Sequence, residues 1–124
     1  MDNQTRRELY NRLLTILKDY ENHFDASEGA NGYSLNTKGP VEAFGRSYPT
    51  MFFAGAKELK NMVGFYFMPI YCDTTLIEKI PDCWKKLLKG KSCFNVKNLT
   101  PEMEKDLHKL LKIGVQNYKK KGWL

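Results

Sequence analysis

Leu9, Leu13, Ile16, Leu17, Tyr20 and Phe24 recur at helical spacing, with Arg6, Arg7, Arg12, Lys18 and Asp19 off that stripe. The pattern predicts a first helix within residues 1–24, and Thr5 followed by Glu8 fits a capping box. It stops at Asp25, and Ser27-Glu28-Gly29-Ala30-Asn31-Gly32 reads as a loop by composition. Short extended stretches follow: Tyr33 to Thr37, closed by Lys38-Gly39-Pro40, then Thr50 to Ala56 and Met62 to Tyr71. The segment Val41 to Ser47 fits an irregular turn or a short helix. The polar Lys57-Glu58-Leu59-Lys60-Asn61 between the two aromatic-rich stretches makes an antiparallel hairpin the simplest connection.

Beyond Tyr71 the pattern turns helical. Asp73 is a candidate N-cap for Thr74 to Lys79, and Pro81 restarts a helix to Lys89 with Gly90 closing it. Lys91 to Lys97 alternates as a last strand. Thr100 then caps a helix over residues 100–121, with Pro101 at its first position and Met103, Leu107, Leu110, Leu111, Gly114 and Tyr118 on its buried stripe. Helices at both ends of an antiparallel sheet predict a two-layer α+β fold. It is a single domain over 1–124, with the sheet and an inserted broken helix between residues 33 and 97.

In the stretch Met62 to Tyr71, Val63, Phe65 and Phe67 alternate with Met62, Tyr66, Met68 and Ile70, so neither side of that strand is polar. A strand apolar on both sides needs cover on both sides. The helices supply one layer; the other side is expected to bind a small ligand, a partner protein or a second copy of the chain in a homodimer. The candidate ligand residues are Phe53, Tyr66, Met68, Tyr71, Lys91 and Ser92. Lys91 and Ser92 would line a pocket mouth with a tyrosine hydroxyl.

Composition fits one domain: of 124 residues, 42% are hydrophobic and 27% charged. The net charge of +6 is uneven, because residues 81–124 carry eleven lysines against four acidic residues while the first eighty are near neutral. Lys105, Lys109 and Lys112 form a basic stripe on the last helix, the candidate anion-binding set; an ordinary solvated face is the plainer reading, and nucleic acid is not an expected partner. No apolar run is long enough for a membrane helix, and the N-terminal MDNQTRRELY lacks the apolar stretch of a secretory signal, so a cytoplasmic chain is expected.

Catalytic signatures are missing. Cys72, Cys83 and Cys93 are an odd set, too widely spaced for a zinc site, and read as buried thiols. His23 and His108 belong to no recognisable triad or H-x(3)-H pair. Gly90-Lys91-Ser92 looks like the end of a phosphate-binding loop, but the required first glycine falls on Lys85 and the tripeptide leads into a strand rather than a helix. No cofactor or metal ligand is assigned, and the expectation is a binding module without catalysis.

The string Phe65-Tyr66-Phe67-Met68-Pro69-Ile70-Tyr71, followed by Gly90-Lys91-Ser92-Cys93-Phe94-Asn95, resembles the YdhG-like family of small bacterial domains of unknown function. Gly55-Ala56-Lys57 fits the same pattern, and the resemblance spans about residues 30 to 124. It implies a compact α+β fold related to frataxin-like domains, in a cytoplasmic bacterial protein without an assigned reaction. For some relatives it implies a role as intracellular iron chaperone. Iron binding of that kind uses an acidic ridge along the first helix and adjoining strand. Here Glu8, Asp19, Glu21, Asp25 and Glu28 are interleaved with Arg6, Arg7, Arg12 and Lys18, which oppose a cation.

Overall fold

The computed structural model describes residues 1–124. Helix α1 (Asn3–Lys18) is capped by Asp2, whose carboxylate accepts from the Thr5 N–H at 2.7 Å, so the cap lies three residues earlier than the expected Thr5–Glu8 box. The helix ends at Lys18, and Glu21–His23 form a single 3-10 turn that carries Phe24 into the core. The stretch expected to be a loop is a hairpin instead. β1 (Asp25–Gly29) pairs antiparallel with β2 (Gly32–Asn36), and every β1 residue is exposed, so no apolar alternation marks it. A second, separate hairpin follows, β3 (Val41–Ala43) and β4 (Arg46–Tyr48).

The centre of the main sheet is β5 (Phe52–Glu58) paired antiparallel with β6 (Val63–Phe67), the hairpin that the polar spacer predicts. β6 stops at Phe67, four residues short of the expected end. Pro69 has no N–H to give a ladder and sits instead at the first position of helix α2 (Pro69–Cys72). Asp73 caps the 3-10 helix Thr74–Lys79 as expected. The helix expected from Pro81 to Lys89 is shorter: α3 covers Asp82–Lys85, after which β7 (Leu88–Lys89) turns at Gly90 (φ +73°) into β8 (Cys93–Val96). Thr100 accepts from the Met103 N–H and caps α4 (Pro101–Lys120). The six strands run in the order β1-β2-β5-β6-β8-β7, and α1 and α4 lie together on one face, giving a two-layer α+β domain with an antiparallel sheet.

Direct strand partners share a face. Ala54 and Phe67, Ala56 and Phe65, and Val63 and Val96 therefore point inward, all of them buried. The Trp84 indole stands edge-on to Phe65 and Phe94, and its N–H donates to the Met103 carbonyl at 2.9 Å. An irregularity in the β2–β5 register pairs Leu35 with Ala54 but Asn36 with Phe52. Phe53 is thus the extra residue of a bulge, and it turns inward beside Ala54 to stack on Phe24.

The outer face is not the apolar surface expected from alternation. Its central row is Ser27, Ser34, Gly55, Tyr66 and Cys93. Met62, Met68 and Ile70 fall outside β6, so only Gly64 and Tyr66 of that strand face outward. The Tyr66 ring lies against Gly64 and the Phe52 ring against Gly55, each so close that a Cβ there would meet the ring within 3.2 Å. Both aromatics are thereby covered by the sheet's own backbone.

Candidate functional site

The exposed aromatic surface lies elsewhere. Apart from the chain ends, the only large apolar residues with more than a third of their surface exposed are Phe44, at 56%, and Tyr71, at 42%. Their rings meet edge to face at 5.9 Å. Phe44 and Gly45 form the two-residue turn between β3 and β4, with φ +53° and +72°, and Phe44 is the only non-glycine residue of the chain at positive φ. Two positive φ values are what a tight hairpin of this hand demands; asparagine, not phenylalanine, is the usual first residue. A β-carbon in this conformation is strained by about 1 kcal/mol.

The turn is held out from the body by a fixed base. Thr37, the one fully buried polar side chain, donates from its hydroxyl to the Gly39 carbonyl and accepts from the Met51 N–H at 2.8 Å. Thr37 and Met51 are also joined backbone to backbone, so the ends of the segment that carries the β3–β4 hairpin are pinned together. Tyr71 is fixed by α2, whose first turn closes on the Met68 carbonyl, while the Met68 N–H donates to Phe53. Asp73 at the end of α2 accepts from the Asn117 amide, locking α2 to α4.

Phe44, Ile70, Tyr71, Thr74 and Ile77 enclose a cleft of about 380 Å³, closed at its rim by Gly90 and Lys91. The Lys91 ammonium lies 5.8 Å from the centre of the Tyr71 ring. No carboxylate lines this cleft. Its other wall is shared: across Phe44 lies a second depression, of about 300 Å³, bordered by Cys72, Lys121, Trp123 and Glu42. Here the Lys121 ammonium lies 5.3 Å from the Trp123 ring. Trp123 is brought there by the end of α4. Gly122 (φ +77°) bends the chain back, its N–H bonding Lys119 and that of Trp123 bonding Tyr118, and the indole packs on the Tyr118 ring at 4.9 Å.

Of the six residues expected to hold a ligand, the structure brings two into one cleft, Tyr71 and Lys91. Phe53 has no exposed surface and is a core residue, which corrects its place in that set. Tyr66 belongs to the outer sheet face, next to Cys93. Met68 is the half-buried residue preceding α2, and Ser92 is half-buried with its carbonyl taken by the Phe67 N–H. Lys105, Lys109 and Lys112 are exposed on α4. They do not act as one stripe: Lys109 lies 3.7 Å from Asp106, and Lys112 joins Lys79 and Lys120 around a separate cleft of about 640 Å³. Phe44 and Trp123 are not among the residues expected from the sequence. The signals that mark them are a lone glycine after an aromatic between short extended pieces, and a Lys-Gly-Trp stop at a helix end.

Comparison with protein-family models, with curated proteins and with solved structures finds no match. β6 pairs with β8, and beyond the ends of the two strands Tyr71 and Lys91 meet at the cleft.

Burial pushes the thiols of Cys72, Cys83 and Cys93 above the ordinary value, and the hydrogen bond from Cys83 to Asp106 adds to this. His108 meets the Tyr20 hydroxyl at 3.0 Å and Asp19 at 4.0 Å, an arrangement that joins α4 to the end of α1. No group of three His, Cys, Asp or Glu side chains converges to hold a metal ion. Glu21 and Glu28, from the acidic set of the first helix and its neighbour, accept instead from the hydroxyls of Tyr33 and Tyr10. No helix is long and apolar enough to cross a membrane.

Proposed function

We propose that the chain is a binding module without catalytic chemistry, and that its ligand is a small molecule with a flat ring and an anionic group. The ring packs in the cleft against the exposed faces of Phe44 and Tyr71, and the anion pairs with Lys91. The observation that carries this reading is Phe44: a large apolar ring, more than half exposed, held in a strained conformation opposite a second exposed ring. Strain of that kind persists where the surrounding structure overrides it, and such positions cluster at ligand sites. The cleft is within the size range of small-molecule sites and combines apolar walls with a single charge at the rim. The outer sheet face is the weaker surface because the Tyr66 and Phe52 rings are already packed against Gly64 and Gly55.

Calorimetry with 4-hydroxybenzoate and with thymidine monophosphate tests the reading. Binding that falls about tenfold, roughly 1.4 kcal/mol, in each of Phe44→Ala, Tyr71→Ala and Lys91→Met supports it. No binding of either probe, or binding untouched by all three substitutions, removes it.

A further inference from the structure

Phe44 is the shared wall of two depressions of the same make: an aromatic ring with a lysine ammonium beside it, Tyr71 with Lys91 on one side and Trp123 with Lys121 on the other. We infer that the two positions bind consecutive nucleotides of a single-stranded nucleic acid that crosses the Phe44 fingertip. This rests on the reading of the Phe44 cleft given above and extends it from one ring to a chain of them. Bases stack on exposed aromatics whatever their sequence, and the phosphates between them need cations at intervals. A protein with one ring and one charge suits a single small anion; a repeated ring–cation unit on either side of a projecting phenylalanine suits a polymer of that unit.

The charge pattern continues past the second position. Lys120 and Lys121 are adjacent, and Lys120 opens onto the cleft that Lys79 and Lys112 also border. The one carboxylate there, Asp73, is engaged by the Thr75 N–H and hydroxyl and by the Asn117 amide. Glu42 is the single acid at the two aromatic positions. None of Lys79, Lys91, Lys112, Lys120 or Lys121 is in an ion pair, although Lys121 lies near enough to Asp73 to help hold its carboxyl below the usual value. No arginine lines these three clefts; Arg46 borders a further depression beside Phe44, so one guanidinium at most is placed to read a base edge.

The test uses a fluorescein-labelled oligothymidylate of about ten nucleotides in anisotropy titrations, a duplex of equal length, and thymidine monophosphate in calorimetry. The oligonucleotide should bind at least about tenfold more tightly than the monophosphate and more tightly than the duplex, and should weaken as salt rises. Phe44→Asn, Lys91→Met and Lys121→Met should each lower its affinity several-fold, and binding should change the fluorescence of Trp123. All three positions are exposed, so these variants keep the fold. If the oligonucleotide binds no better than the monophosphate and Lys121→Met is silent, while Phe44→Asn still abolishes monophosphate binding, the strand proposal fails and the single-ligand reading stands. If neither probe binds, both fail. Equal affinity for the duplex, or loss only in Lys105→Met and Lys109→Met, locates the contact on the solvent face of α4 and overturns the proposal as well.

Discussion

At Phe44 the proposed binding role and stability are set against each other. The residue holds φ +53° at the first of two left-handed turn positions, where an asparagine side chain is accommodated with less strain. Its ring recovers part of the cost through edge contacts with Tyr48 and Tyr71, yet most of that ring remains in water. Phe44→Asn should therefore raise thermal stability, by about 0.5–1 kcal/mol, while removing binding of the small probes; melting curves and calorimetry on the same variant check both halves. A fall in stability would show that the ring's contacts outweigh the backbone strain. The same scale explains what the sequence allowed. Tyr71 and Lys91 stood among six candidates, with Tyr66 an equal alternative to Tyr71 beside Lys91 and Ser92, and the fold brings these two to one cleft. Phe53 was not legible, because one extra residue in β5 reverses the parity that assigns it to a face, and register irregularities leave no mark in hydrophobic alternation.

At the scale of elements, two contacts hold the site in place. α4 crosses the sheet at Gly114, where a β-carbon would lie 2.6 Å from the Phe67 ring and 2.9 Å from that of Phe53. Alanine improves helix propensity by about 1 kcal/mol, but the rings beneath it have no space to yield. Gly114→Ala should thus be destabilising by about 1–3 kcal/mol, read as a lower urea midpoint with an unchanged slope. Thr37 holds the other contact. Thr37→Val keeps the shape and leaves the Met51 N–H and the Gly39 carbonyl without their side-chain partner, at a cost of about 1–3 kcal/mol. Because these bonds close the base of the β3–β4 hairpin, hydrogen exchange of that hairpin should rise more than that of β5 and β6. α4 was legible almost to its ends because its stripe and its Thr100 cap are local, whereas α1 stops at Lys18 under an Asp2 cap and α3 covers only Asp82–Lys85. β1 was not, since a fully exposed edge strand has no buried side to alternate with, and α2 was absorbed into β6 because four apolar residues after a strand look like its continuation until the proline is given its helical role.

Over the whole molecule, the layer order followed from the sequence because the two terminal helices carry one apolar stripe each. The proposed binding surface did not, because it is assembled from a hairpin tip, a one-turn helix, a β-turn and the C-terminal segment, none contiguous with another. One property of the assembled fold can be measured without any ligand. The hydroxyls of Tyr10 and Tyr33 donate to Glu28 and Glu21, bonding α1 to β1 and β2 to the 3-10 turn. Burial, then the adjoining carboxylate, pushes the Tyr10 hydroxyl up to about 12 and moves Tyr33 in the same direction. Tyr118, which donates to the Phe52 carbonyl at 2.6 Å, is raised chiefly by burial. In each case the folded chain keeps a proton that the unfolded chain releases near pH 10, so the unfolded state binds fewer protons and stability falls as pH rises. The stabilisation is complete below about pH 10 and is lost progressively through about 12 as Tyr10 ionises in the folded state. Urea midpoints measured from pH 8 to 11.5 should be level at first and then decline steeply. Tyr10→Phe should flatten part of that decline, because the residue that replaces the phenol has no proton to lose. A variant whose decline matches the parent would remove Tyr10 as a source of the alkaline instability and leave it to Tyr33, Tyr118 and the other raised phenols, Tyr20 and Tyr66.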